Sequence, residues 1–229
     1  MKKISKEIFS PYLMKPDGLR PGLEKPFTEG EYVVATETHI ILFIRKDFLE
    51  EEYISTIKPP VAALNKIPIQ NCDIPVCSSA IRAALDILPK VEEFEEVCEE
   101  IECEECDGDG EVYWEYQDRH GHTYQSVHDC PCCDGSGKYQ SSIKRPTGNM
   151  VVQNCCFISL NGIFVHAQNM EPLLSTMDSL GIHKARILAL RESSPCLIRL
   201  AEGIDFVFMP SHPYAVSSMP ASNIVPIEL

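Results

Sequence analysis

CEECDGDG at residues 103–110 is answered, at 130–137, by CPCCDGSG. The shared pattern is Cys-x-x-Cys-x-Gly-x-Gly, with 23 residues between Cys106 and Cys130. Four thiolates in two such pairs are what a structural zinc site needs, since each pair forms a knuckle placing two sulfurs about 2.3 Å from a tetrahedral ion. A knuckle turns the chain sharply and calls for residues that tolerate positive φ and close approach. Gly108, Gly110, Gly135 and Gly137 stand at matching offsets from the two pairs. Cys132 makes the second pair ambiguous in isolation, and the glycine offsets select Cys130 and Cys133. The expected metal ligands are therefore Cys103, Cys106, Cys130 and Cys133, holding one zinc per chain. Four cysteines close the coordination shell, so the ion is expected to be structural rather than catalytic. The rival use of Cys-x-x-Cys, thiol–disulfide exchange, generally places a single pair at a helix start in a βαβ setting.

Working outward, EVYWEYQDRHGHTYQSVHD (111–129) reads as an antiparallel hairpin turning at or near Gly121. Tyr113, Trp114, Tyr116 and Tyr124 lie on it and are expected to cover the knuckles, with an exposed client-binding surface as the alternative. His120, His122 and His128 are expected at exposed positions rather than as ligands. Upstream, Val91, Phe94, Val97, Cys98 and Ile101 recur at helical spacing and predict a helix running up to Cys103. From Glu92 to Glu111 there are twelve Asp or Glu and no Lys or Arg, which reads as the solvated face of that helix.

The segment 101–140 resembles the cysteine-rich domain of DnaJ-type co-chaperones, which is built from CxxCxGxG units paired across hairpins. In that family four units bind two zincs, so the two units here imply one. The His-Pro-Asp motif of the J-domain is absent from this sequence. The resemblance therefore implies metal binding and, less directly, binding of unfolded or partner protein, but not recruitment of a chaperone ATPase.

Outside this arm the pattern is α+β. EYVVATETHIILFIRK (31–46) reads as two strands or one long bent strand, and IKPPVAALNKIPIQNCDIPV (57–76) as irregular or edge-like. Pro11, Pro16, Pro21 and Pro26 break the first thirty residues into turns and short pieces. Ser78 or Ser79 caps a helix through Leu88 with Ile81, Ala84, Leu85 and Leu88 on one face, ended by Pro89. Asn161-Gly162, between apolar runs, marks a hairpin. A second helix is punctuated by Asn169 as cap, Pro172 in its first turn and Gly181 past its end. Strands are expected at ARILAL, CLIRL and IDFVFM, and an irregular surface course for the tail from Ser211.

Four of these pieces resemble, in order, segments of bacterial DNA polymerase sliding clamps: ATETHIILF (35–43, with Glu37 where Asp is usual), IPVCSSAIRAALDIL (74–88), NGIFVHAQNMEPLLSTMDSLG (161–181) and PCLIRLAEGIDFVFMP (195–210). The resemblance implies a clamp-like body of two strand–helix halves over 1–100 and 141–229, with the zinc hairpin of 101–140 inserted between them. It also implies that encircling DNA would need a hexamer, because the family's ring is built of six such domains. Clamp inner helices present Lys and Arg to phosphate, whereas the two helices here offer only Arg82 and Lys184.

Composition narrows function further. At 229 residues and 44% apolar content, the chain can bury a core without staples. The net charge of −14 disfavours generic binding to phosphate backbones. MKKISKEIFS lacks an apolar h-region, and no apolar run approaches a membrane span, so a cytoplasmic protein is expected, with its eleven cysteines reduced. Phosphate-cradling Gly loops, HExxH, nucleophile elbows and paired catalytic carboxylates are all missing. The expected function is a non-enzymatic zinc-binding adaptor for another protein. The alternatives are a DNA-associated accessory protein, supported by Lys138, Lys144 and Arg145, and a thiol enzyme using Cys132, Cys155 or Cys156.

Overall fold

The computed structural model describes residues 3–15, 20–53 and 62–228. Along the first part of the chain run β1 (Phe27–Glu29), β2 (Tyr32–Thr36), β3 (Ile40–Arg45), β4 (Ile74–Cys77) and α1 (Ser78–Ile87). Next come four longer strands, β5 (Lys90–Glu102), β6 (Glu111–Gln117), β7 (Thr123–Asp129) and β8 (Lys138–Val152). The remainder is β9 (Phe157–Leu160), β10 (Ile163–His166), α2 (Met170–Ser179), β11 (Lys184–Ala189), β12 (Cys196–Ala201), β13 (Ile204–Phe208), α3 (Pro213–Ser217) and β14 (Ile224–Ile227). The chain divides into two units, residues 1–91 with 151–229, and residues 92–150. No helix among the described residues is long and apolar enough to cross a membrane.

The first unit is α+β. Its seven-stranded sheet has the order β1-β2-β3-β13-β12-β11-β4, and a three-stranded sheet has the order β10-β9-β14. The run IILFI of β3 is buried at every position because both faces of the large sheet are covered. Ile40, Leu42 and Ile44 face the main core with Ile81, Leu85, Leu173 and Met177 of the helices. Ile41 and Phe43 face a smaller cluster with Phe27, Val34, Leu197 and Val207. This explains why the strand shows no polar alternation in sequence.

The segment 31–46 resolves into two strands, and the turn between them is built by its polar residues. Glu37 Oε1 accepts from the N–H of His39 at 2.9 Å and of Ile40 at 3.0 Å, and Thr38 takes φ 97°. Helix α1 buries Ile81, Ala84 and Leu85, and stops before Pro89, which forces Leu88 into an extended conformation. The N-cap of α1 is Cys77, and neither Ser78 nor Ser79 serves as a side-chain cap. Asn161 and Gly162, at φ 48° and 84°, join β9 to β10. Their two positive φ values are those of a type I′ turn. On β12 and β13, Arg199 meets its cross-strand partner Asp205, Nε to Oδ1 at 2.8 Å, with the Asp205 side chain almost fully buried.

β4 forms one edge of the large sheet, in keeping with the edge-like reading of that segment, while Pro16 and residues 57–61 lie outside the described residues. The N–H of Ser78 donates inward to His183 O at 3.0 Å. By alternation along the strand, the N–H of Val76 faces inward too, and positions 75 and 77 face outward. Position 75 is proline.

Two further expectations about secondary structure need correction. The segment upstream of Cys103 is not a helix but the strand β5, hydrogen-bonded to β8. A helix there would stack Glu92 on Glu96, Glu95 on Glu99 and Glu96 on Glu100, like-charge pairs that destabilise it. Paired as a strand, Glu99 meets Arg145, Glu100 meets Lys138 at 3.7 Å, and Glu93 accepts from Thr147 at 2.9 Å and Asn149 at 3.1 Å. The tail does not wander: β14 pairs in parallel with β9 and buries Ile227. The opening residues fall into short pieces, in keeping with their prolines, and one of these is a 3₁₀ helix, Lys6–Tyr12, that holds Pro11 within it and buries Phe9 and Tyr12. The Tyr12 hydroxyl donates to Pro172 O at 2.9 Å and lies 2.7 Å from Thr176 Oγ1, tying that helix to α2.

Candidate metal centre

The second unit has almost no core. Across residues 92–150 the buried positions are Cys103, Cys106, Gly110, Cys130, Cys133 and Gly137. Val112, half-buried at the start of β6, packs on the four sulfurs. β6 and β7 form a regular antiparallel hairpin from Glu111↔Asp129 to Gln117↔Thr123, turning through Asp118 to His122 with Gly121 at φ 85°. Asp118 accepts from the N–H of His120 at 2.8 Å and of His122 at 2.9 Å. The acceptor contacts with His122 and His120, working against partial desolvation, hold the Asp118 carboxyl below its ordinary range.

The Cys-x-x-Cys-x-Gly-x-Gly units form two knuckles related by an internal pseudo-two-fold, with every equivalent position 27 residues apart. In each, an Asp-Gly pair adopts the left-handed conformation: Asp107 φ 51° and Gly108 φ 83°, Asp134 φ 52° and Gly135 φ 77°. This turn aims an amide back at sulfur, Gly110 N–H to Cys106 Sγ and Gly137 N–H to Cys133 Sγ, both at 3.2 Å. The knuckles also exchange backbone bonds: Cys103 N–H donates to Gly137 O and Cys130 N–H to Gly110 O, each at 2.8 Å. Gly110 and Gly137 are where the two backbones touch. A Cβ on Gly110 would lie 2.4 Å from Gly135 O, and one on Gly137 would lie 2.1 Å from Gly108 O.

The four Sγ atoms lie within 4.8 Å of one another. Cys103 and Cys130 are 3.7 Å apart, and Cys106 and Cys133 are 3.8 Å apart. A tetrahedral ion with sulfurs at about 2.3 Å has S···S edges of about 3.8 Å, whereas a disulfide brings sulfurs to about 2.05 Å. The donor set and spacing therefore fit a four-thiolate metal ion. Burial pushes the Cys103 thiol up and Cys106 to about 11. At Cys133 burial opposes ionisation, but the Gly137 N–H and the neighbouring thiols outweigh it and bring that thiol to about 7. Burial works against ionisation at Cys103 and Cys106, and a divalent ion would supply the charge that favours their thiolates.

The structure brings together the four cysteines singled out by spacing, and no histidine joins them among the described residues. Cys132 is exposed beside them, as its place outside the repeat suggests. Its thiol is pushed up, by desolvation first and then by Cys130 and Glu105, which is the wrong direction for a nucleophile. Cys155 lies in the turn before β9, and Cys156 stands between that turn and the strand. Burial raises the Cys156 thiol further. The expectation that the hairpin aromatics cover the knuckles fails: Tyr113 is 77%, Trp114 58%, Tyr116 68% and Tyr124 58% exposed. Sequence reading missed the contact of Gly110 and Gly137 across the pseudo-two-fold, although their equal offsets from the cysteines were its signal.

No family model matches the chain, and no curated protein does. Solved structures do. The DNA polymerase III beta subunit of Thermotoga maritima aligns over 90% of this chain and 63% of its own, at 11% identity and TM-score 0.47. The Helicobacter pylori beta clamp bound to a DNA ligase peptide aligns over 90% and 62%, at 12% identity and TM-score 0.46. The Caulobacter crescentus DNA polymerase sliding clamp gives the same coverage, identity and TM-score. The chain thus spans less than two thirds of the length of these structures.

Proposed function

We propose that this chain is a non-enzymatic zinc-binding protein in which one structural ion, held by Cys103, Cys106, Cys130 and Cys133, keeps residues 92–150 folded as an arm for binding another protein. One observation carries the reading: the arm's buried interior consists of four sulfurs within 4.8 Å of one another and two glycines. So small a unit buries too little apolar surface to order itself, and a metal cross-link is the usual remedy. The ion would supply that cross-link and the charge that balances the thiolates. No group is left on it for chemistry, since four thiolates fill its shell.

A role on DNA finds less support. Lys138 and Arg145, two of the three cations near the knuckles, face Glu100 and Glu99 across the β5–β8 ladder. Arg82 of α1 is held by Asp178 of α2, both Oδ atoms at 2.7 Å. Cations engaged by carboxylates have little left to offer phosphate.

Metal analysis of chain purified without chelator tests the reading. One zinc per chain is expected, replaced on exchange by cobalt with the absorption of a tetrahedral four-thiolate site. A chain that carries no metal, with 92–150 ordered all the same, would sink the proposal.

A further inference from the structure

The hairpin of the second unit has two unlike faces. Residues directly opposite in an antiparallel ladder share a face. The register places Val112 with His128, Trp114 with Ser126 and Tyr116 with Tyr124 on one of them. That face carries no carboxylate, lysine or arginine. The other face holds Glu111 with Asp129, Tyr113 with Val127, Glu115 with Gln125 and Gln117 with Thr123, so its one aromatic ring is flanked by carboxylates. On the uncharged face the rings form two neighbouring pairs. Trp114 and His128 have centroids 4.7 Å apart, and Tyr116 stacks beside Tyr124 at 6.5 Å.

Charge is distributed just as unevenly along the chain. Residues 92–150 hold sixteen of the 34 Asp and Glu but only four of the twenty Lys and Arg, a net −12 out of −14. An exposed row of ring faces on a strongly anionic unit suits one kind of occupant. The ring quadrupoles attract a cation placed over them, and the surrounding carboxylates raise its local concentration. The same field repels nucleic acid, which would otherwise use such rings as a stacking platform. Trp114 and Tyr116 are two residues apart on β6, so their rings recur at about 7 Å, the spacing of alternate side chains along an extended peptide.

We infer that the Trp114–Tyr116–Tyr124 stripe binds an extended basic segment of a partner protein, with arginines at alternate positions set over the rings. This rests on the reading of 92–150 as a metal-held protein-binding arm and adds the chemistry of its partner. The chain contains a single tryptophan, Trp114, so its fluorescence reports on this face alone.

The experiment titrates the zinc-loaded full chain with a synthetic peptide of Arg-Ser repeats, following Trp114 emission, alongside Leu-Ser and Glu-Ser repeats and a single-stranded thymidine oligonucleotide. The Arg-Ser peptide is expected to change the emission saturably, more weakly as salt rises, with no response to the other three. Tyr116→Ala, an exposed substitution that keeps the reporter, should weaken binding about fivefold. Unchanged affinity in that variant would reduce the interaction to diffuse charge and overturn the inference, as would an equal or stronger response to Leu-Ser or to the oligonucleotide. Zinc is measured on the same samples. A chain with one zinc and no response to Arg-Ser loses this inference but keeps the proposed function, whereas a chain without zinc loses the proposed function itself.

Discussion

Replacing Gly110 by alanine tests whether the two knuckles are held by backbone contact as well as by metal. Two costs combine. The residue sits at φ 80°, where any Cβ crowds the following carbonyl, a penalty of about 1–2 kcal/mol. The new methyl would also stand 2.4 Å from Gly135 O, so the knuckles must part until that separation passes 3.0 Å. Forcing apart a well-packed contact of this kind costs about 1–3 kcal/mol. Their sum is about 3 kcal/mol, and because metal binding and folding of so small a unit are one process, it is expected to weaken zinc affinity roughly a hundredfold. Gly121→Ala is the matched control. It has φ 85° but nothing within 4 Å of the added Cβ, so it bears the conformational penalty at the far end of the hairpin without the clash. Competition against a chromophoric chelator measures both affinities on the same scale. If Gly110→Ala binds zinc as tightly as Gly121→Ala, the reading of the knuckle contact is wrong.

Serine in place of Cys103, Cys106, Cys130 or Cys133 should each remove the bound metal and raise hydrogen exchange across 92–150, while Cys132→Ser retains one metal by elemental analysis. Excising 92–150 and joining Val91 to Val151 should leave a body that melts cooperatively, since the Gln153 N–H to Pro89 O bond at 2.9 Å already brings the flanking segments together. Circular dichroism checks this, and a body that fails to melt as a unit counts against the division. In the body, burial and then the charge of His39 hold the His166 imidazole below its ordinary range. Its folded-state pKa is depressed, so its contribution to stability is full above the unfolded value of about 6.5 and is lost as pH falls towards the folded one. Denaturant melts from pH 7.5 to 5 should therefore show a loss of stability that His166→Gln removes.

Much of this was legible in the chain because it depends on neighbours in sequence. Asn161-Gly162 specifies its turn locally, Pro89 ends α1 whatever lies around it, and the four clustered cysteines announce themselves by residue type and spacing. What escaped depends on distant partners. Val91, Phe94, Val97 and Ile101 fit a helical stripe, and only the lysine and arginine of β8, more than thirty residues away, turn the acidic segment into a strand. β14 is short, carries Pro226, and is defined by a parallel neighbour some seventy residues upstream. Tyr12 gives no local sign that its hydroxyl will reach across to α2. Exposure of the hairpin aromatics was equally hidden, because alternation along a strand separates two faces without saying which one the rest of the chain will cover.

The proline at the outer margin of β4 has a bearing on self-association. Over the four residues of that strand, only the amide of Cys77 points away from the sheet, and the opposite margin, β1, is three residues long. A second copy seeking to continue the hydrogen-bond ladder would find one donor on one side and scarcely a strand's length on the other. Fibre-like growth through the large sheet is thereby discouraged, and association at its two margins would have to use side chains instead.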